Sequence, residues 1–326
     1  MQVTGLPFDD IRTLAEALPP PDAQAAALAD ARSQELTRLL GPMATEARLA
    51  RWLAGWSGKS PAVERPLIAL FAGTHGCGAQ SRQEDTLAGV TRLAAGGSAV
   101  NQVCGRHDIG LKVFDLALQV PVGDITGDEA LDEKGSAATI GYGMEAIAGG
   151  VDLLGLAAFG RGGEIANAAL LSLLLGNDTS TATALAHLPG HGELRPAVEA
   201  AVARHAGAAA SPLELLRRLG GREHSALAGA LLAARVDHVP VVLSGTTALV
   251  VALLLDRLRP GSCQHCLVAG GDSDGLAGRV AGACGMPHVL PGHAAVDDGS
   301  TAAIAIGMLA ALAAMHGNMV VDVDSA

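Results

Sequence analysis

Residues 151–175 read VDLLGLAAFGRGGEIANAALLSLLL, and the order of residue types in that stretch decides the fold. A short apolar run, Val151–Ala158, interrupted only by Asp152, meets the cluster Gly160-Arg161-Gly162-Gly163-Glu164, and a helical pattern then starts at about Ala166. A continuous apolar run is what a strand buried on both faces requires. The glycines let the backbone turn tightly and come close to other backbone or to a ligand. A strand that feeds straight into a helix also exposes backbone N–H groups and the positive end of the helix dipole, where an anion binds. Arg161 adds a guanidinium that can fork onto a phosphate. The loop lacks the Gly-Lys-Ser/Thr of a Walker motif, and a purely structural turn would use the same glycines.

The same alternation recurs along the chain. Apolar runs at Leu67–Gly73, Leu111–Ala117, Val239–Gly245 and Cys266–Gly271 alternate with helical patterns at Thr86–Ala95, Leu213–Leu219 and Thr246–Leu258. This predicts an α/β fold, a parallel sheet with helices on both faces, whose ligands sit at the carboxyl ends of the strands. Before the first strand, Asp22 is placed to cap a helix running to about Leu40, and a second helix spans about Met43–Trp56. The Ala-rich end of the chain reads as one more helix. We therefore expect a small helical subdomain from 1–60 and 301–326, and an α/β domain over 61–300.

Composition bounds the function. The chain has 326 residues, 49% of them apolar and only 2% aromatic, so a large core must be packed mainly by Ala, Leu and Val. A net charge of -11 argues against a nucleic-acid surface, which needs clustered Lys and Arg. An anionic ligand must then be held by backbone N–H groups and one or two local bases. Five scattered cysteines read as reduced thiols, and the acidic start MQVTGLPFDD has no apolar leader segment, which together point to the cytoplasm. Thr301–Met315 is too short to span a bilayer, so no membrane partner is expected.

Other motifs carry weaker signals. Gly73-Thr74-His75-Gly76-Cys77 closes a strand with a hydroxyl and an imidazole between glycines, fit either for a ligand or for a structural turn. Cys263-Gln264-His265-Cys266 has no second pair at zinc-module spacing, even with Cys284 and His288, and reads as buried thiols beside a strand. Gly271-Asp272-Ser273-Asp274-Gly275 lacks the Glu that would complete a calcium loop. Neither a metal nor a cofactor is expected. Asp297-Asp298 precedes the last helix, either as a cap or as a general base at the pocket mouth.

Taken in order, these motifs resemble the nicotinate-nucleotide:dimethylbenzimidazole phosphoribosyltransferase family from Leu18 to about Met315. FAGTHG resembles that family's FAGDHG, and QEDT (83–86) and LAAGGSAVN (93–101) resemble QEVT and LAGGAAIN. DLLGLAAFGRGG resembles DLLGLGEMGIGN, VPVVLSG resembles VPVLLDG, and DDGSTAAIA resembles GEGTGAALA. LRRLGGREHSALAGALL resembles LRRLGGFEIAALAGLIL. The resemblance implies a Rossmann-like α/β domain with a small helical one, a homodimer, and two small-molecule substrates, a nucleotide and an aromatic base. It implies displacement of nicotinate from nicotinate mononucleotide by a ring nitrogen of the base, with inversion at the ribose C1. The glycine-rich loops would hold the phosphate, and the Glu of GEGTG would take the azole proton.

The departures fall on the implied site. Asp298 stands at the Glu of GEGTG, one methylene shorter, with Asp297 as the alternative base. Ala158 replaces the Glu that bonds the benzimidazole, while Gly163 and Glu164 replace the Asn and Thr of the phosphate loop. Thr74 and Ser244 each replace an Asp. Ser81 stands for a base-site Ser after a shortened loop, and Arg195 for a Lys before a later helix. Leu36–Ala44 loses a proline pair, and GGDSDGLAG (270–278) loses the His, Arg and Glu of SHRSAEPGH. Asp298 is thus the expected catalytic residue. Thr74, His75, Ser81, Ala158, Gly160, Arg161, Gly162, Gly163, Arg195, Ser244 and Gly245 are the expected substrate-binding set. Two functions follow: a phosphoribosyltransferase with altered base preference, or an impaired relative that binds a nucleotide or base as a sensor or partner subunit.

Overall fold

The computed structural model describes residues 4–77, 80–175, 191–294 and 296–320. Six strands form one sheet: β1 (Pro66–Ala72), β2 (Gly110–Asp115), β3 (Leu153–Phe159), β4 (Val241–Leu243), β5 (Cys266–Ala269) and β6 (His288–Val289). Their spatial order is β2-β1-β3-β4-β5-β6. Every neighbouring pair is parallel, from Leu67↔Gly110 at one edge to Ala269↔Val289 at the other. The expected α/β architecture is present. The sixth strand was not legible, because two residues after Pro287 are too few to show a pattern.

Side chains leave a strand alternately to opposite faces, and the core divides accordingly. Leu67, Ala69, Phe71, Leu154, Leu156, Val241 and Leu243 point into one apolar layer. That layer holds α6 (Glu133–Gly143), α7 (Gly163–Leu175), α9 (Pro212–Leu219), α10 (Arg222–Val236) and α11 (Thr246–Leu258). Between α7 and α9 the chain forms α8 (His191–His205), and α12 (Leu276–Cys284) follows β5. Ile68, Leu70, Val242 and Leu267 point the other way, onto α3 (Ala44–Ser57), α5 (Ala99–His107) and α13 (Ser300–Asn318). Helix α4 (Gln80–Ala94) adds Leu93 to that side.

α13 is long and apolar enough to cross a membrane by length and composition alone. It instead lies on the sheet, where Ala302, Ala303, Ala305, Ile306 and Leu309 are fully buried. Gly155 makes that approach possible: a Cβ there would fall 2.2 Å from Ile68 Cδ1 and 3.1 Å from Ile306 Cδ1.

Asp22 caps α2 (Ala23–Leu40), accepting the Ala25 N–H at 2.8 Å, as expected. The two chain ends also meet, through Arg32 Nε donating to His316 O at 3.1 Å and Ser33 Oγ 3.0 Å from His316 Nε2. Helix α1 (Phe8–Glu16) departs from the expected grouping of residues 1–60. Its Phe8, Ile11 and Ala15 join the layer on the opposite side of the sheet, and the Phe8 N–H donates to Glu133 at the start of α6. The reason is the apolar i, i+3, i+7 stripe of α1, which finds its cover there.

α6 and α10 cross with backbone against backbone at Gly143 and Gly229. A Cβ on Gly229 would lie 1.8 Å from Ile140 O, and one on Gly143 1.9 Å from Ala226 O. Both obstacles are backbone, so neither can rotate away. Gly229→Ala is therefore expected to force the helices apart and to destabilise the fold by about 2 kcal/mol. Urea denaturation of the variant measures this, and an unchanged midpoint would show that the two helices have room to spare.

Candidate active site

From β1 the chain goes outward to β2, then returns to place β3 on the other side of β1. The carboxyl ends of β1 and β3 therefore flank the crevice where such sheets bind ligands. Both glycine motifs leave from there, and they touch. The Gly73 N–H donates to Phe159 O at 3.1 Å. A Cβ on Gly160 would lie 2.6 Å from Gly73 O. Gly162 has φ +99°, a conformation that excludes most side chains, and a Cβ there would meet His75 Cβ at 3.0 Å. Gly163 opens α7, so the loop does end at a helix N-terminus. Arg161 extends into solvent while its N–H donates to Thr86 Oγ1 at 3.0 Å.

Several side chains expected to face a ligand are turned inward instead. Thr74 is buried, and its hydroxyl donates to Leu118 O at 3.1 Å. Ser244 is buried and donates to Val296 O at 3.0 Å. Ala158 points into the core layer beneath α7. In each case a backbone carbonyl within reach or the strand's alternation claims the side chain first. Arg195 pairs with Glu199 one turn along its own helix, at 2.8 Å. The side chain of Ser81 lies outside the described residues.

His75 belongs to a buried chain of polar groups. Its Nε2 donates to Glu223 Oε1 at 2.6 Å. Glu223 Oε1 is also 2.9 Å from His224 Nδ1. His224 Nε2 lies 2.9 Å from Asn167 Oδ1, and Asn167 Nδ2 donates to Thr247 Oγ1 at 2.9 Å. The chain thus ties the turn after β1 to α10, α7 and the first turn of α11. Burial pushes the Glu223 carboxyl up, but the facing His75 and His224 overturn this and hold it well below its ordinary value. Burial likewise pulls His75 down, while the charge and hydrogen bond of Glu223 raise it to a net value above the ordinary 6.5. Gly73 and Gly221 make room for this carboxylate, since a Cβ at either would fall within 2.4 Å of Glu223 Oε2.

His75, Glu223 and His224 bring three ligand-type atoms together, the one such group among the described residues. Both ring nitrogens of His224 are already bonded, Nδ1 by the Gly221 N–H at 3.0 Å and Nε2 by Asn167. The group is better matched to a hydrogen-bonded strut than to a metal. Sequence reasoning missed Glu223, His224 and Asn167. Their signal was an acidic residue and two polar ones inside helices that are otherwise apolar.

The two acidic residues before α13 diverge. Asp297 lies against Gly245, whose φ is +85°, and a Cβ on that glycine would fall 2.0 Å from Asp297 Oδ1. The Asp297 carboxyl is pushed up to about 6. Desolvation of the carboxyl group against Gly245, in a residue that is otherwise exposed, is the main cause, opposed by the N–H groups of Thr246 and Thr247 and reinforced by the charges of Glu164 and Asp298. Asp298 turns to the other side. Its Oδ1 accepts from Ser300 N at 2.9 Å and Ser300 Oγ at 2.6 Å. It also lines a cavity of about 210 Å³ with Gly89, Arg92, Ser98 and Phe159. That cavity opens beside the β1–β3 crevice, since Phe159, the last residue of β3, lines it.

All five cysteines are free and buried, Cys263 and Cys266 completely. Burial pushes the Cys77 thiol up to about 12, so it is not an activated nucleophile.

Comparison with known proteins gives one answer. A family model described as phosphoribosyltransferase matches residues 18–325. A nicotinate-nucleotide–dimethylbenzimidazole phosphoribosyltransferase from Rhizobium etli is 43% identical over 98% of this chain and 96% of its own length. The protein of that name from Sinorhizobium fredii is 44% identical over the same shares. The crystal structure of the corresponding Thermus thermophilus protein superposes with a TM-score of 0.79 at 25% identity, covering 90% of this chain and 96% of that one. With matches that run over nearly its whole length, the chain belongs to the nicotinate-nucleotide–dimethylbenzimidazole phosphoribosyltransferase family.

Proposed function

We propose that this chain transfers phosphoribose from nicotinate mononucleotide to a ring nitrogen of 5,6-dimethylbenzimidazole or a related azole, releasing nicotinate. The observation that carries this reading is the pairing, at one crevice, of a glycine cradle at the start of α7 with a carboxylate-lined cavity beside Phe159. The cradle suits the phosphate, since backbone N–H groups fixed in place need no reorganisation. The cavity suits a flat bicyclic base, with Phe159 along one side.

In this reading Asp298 is the general base. It takes the azole N–H proton as the ring nitrogen attacks the ribose C1. The C1–pyridinium bond breaks, and its electron pair neutralises the departing nicotinate ring. That ring is already cationic, so little acid assistance is needed. Arg161 reaches over the cradle from solvent, and the His75–Glu223 strut supports the loop from below. We also propose a cytoplasmic homodimer, in keeping with the family resemblance and the reduced thiols.

The test is nicotinate release from nicotinate mononucleotide on addition of 5,6-dimethylbenzimidazole. Release that requires the azole is the expected result. Nucleotide binding without release, at high enzyme concentration and with several azoles, would support the impaired relative instead. That outcome has a structural basis, since the hydroxyls of Thr74 and Ser244 are spent on backbone carbonyls.

A further inference from the structure

The cradle at the start of α7 already holds an anion of its own. The Gly162 N–H donates to Glu164 Oε2 at 2.7 Å. Gly162 has the one positive φ in this loop, and its N–H is the donor that a strand-to-helix turn offers to a bound phosphate. The other oxygen, Glu164 Oε1, stands 4.0 Å from Arg161 Nη1. The Glu164 side chain is about one-quarter exposed, so it has open space to move into. Arg161 is more than half exposed and can follow it.

A carboxylate and a phosphate cannot share one N–H at the positive end of a helix. Both are acceptors, and both carry negative charge, so their repulsion is strong in a site partly screened from water. We propose that Glu164 is a built-in competitor for the substrate's phosphate: the incoming phosphate takes the Gly162 N–H, and the displaced carboxylate moves onto Arg161. The inference rests on the phosphoribosyl-transfer reading for the identity of the anion. It makes Glu164 a residue that sets how tightly, and at what concentration, a phosphorylated substrate is held. It also accounts for Arg161, which gives the displaced carboxylate a partner.

The competing view is that Glu164 only caps α7. A cap contributes to helix stability, and its removal would leave phosphate affinity unchanged or lower. The two views therefore predict opposite signs.

The experiment compares the full-length chain with Glu164→Gln and Glu164→Ala. Inorganic phosphate is titrated into each by calorimetry, and KM and kcat for nicotinate mononucleotide are measured by nicotinate release. Losing one charge-assisted hydrogen bond to the competitor should tighten phosphate binding and lower KM by roughly tenfold, with kcat within about twofold. Glu164→Ala, which removes the acceptor as well as the charge, should show the larger change. Should Glu164→Ala fail to fold, the isosteric Gln variant carries the test.

Unchanged or weaker phosphate binding in both folded variants overturns the proposal. If no chain releases nicotinate but phosphate still binds the variants more tightly, the competitor role stands and the transferase reading fails. If nicotinate is released and KM does not move, the transferase reading stands and the competitor role fails.

Discussion

Asp298→Asn is expected to lower kcat for azole-dependent nicotinate release by about 10²- to 10³-fold, the range lost when a positioned general base is removed. The substitution keeps size and shape, and an Asn oxygen can still accept from Ser300 N and Oγ, so α13 keeps its start. What disappears is the capacity to take a proton. Asp297→Asn is the matched comparison. Its carboxyl faces Gly245 and the first turn of α11 rather than the cavity beside Phe159. It should cost less than about tenfold in kcat, since no proton transfer at the azole is assigned to it. Rates for both variants at saturating nucleotide and azole decide the matter. A large loss in Asp297→Asn with a small one in Asp298→Asn would reverse the assignment, and the Asp297 pKa of about 6 would then be that of the base.

Glu223→Ala carries the largest expected effect on stability. It leaves His75 and His224 buried without their acidic partner, a loss of about 3 kcal/mol. The pH dependence has a definite sign. Glu223 has its folded pKa depressed, so its contribution is complete above its ordinary 4.5 and fades as pH falls through the lowered value. His75 has its folded pKa raised, so its contribution is complete below its ordinary 6.5 and fades as pH rises through the raised value. Both are present together between those two ordinary values. Urea denaturation should therefore show the widest gap between the parent chain and Glu223→Ala near about pH 5.5, and a narrower one near about pH 8.5. A gap of equal size at both values would mean that packing, rather than the ion pair, is what the substitution removes.

The strands were legible because parallel strands covered on both faces must be apolar throughout, and β1 and β3 carry that mark plainly. The glycine loops were legible for a related reason: only glycine fits where Gly160 meets Gly73 O and where Gly162 takes a positive φ. The direction of individual side chains was not legible. Thr74 read as a ligand contact because a hydroxyl between glycines looks available, and Ser244 because it stands where the resembling family has an Asp. Which carbonyl lies within reach is settled by elements far away in the chain, Leu118 and Val296. The His75–Glu223–His224–Asn167–Thr247 chain escaped for the same reason, since its members come from four separate segments. Glu164 was read as a change of residue in a phosphate loop. Only its bond to the Gly162 N–H shows that it fills the loop itself.

α13 covers the face of the sheet that shows Ile68, Leu70, Val242 and Leu267, yet it lies more than two hundred residues after β1 in the chain. During synthesis α3 and α5 can cover part of that face, but the share that α13 covers stays open until Ser300–Asn318 has left the ribosome. At ordinary elongation rates of about 5–20 residues per second, β1 waits for about ten seconds or more with that side only partly covered. The nascent protein is therefore a natural client for chaperones, and a chain stalled before residue 300 exposes a greasy, strand-rich surface that favours clumping over folding.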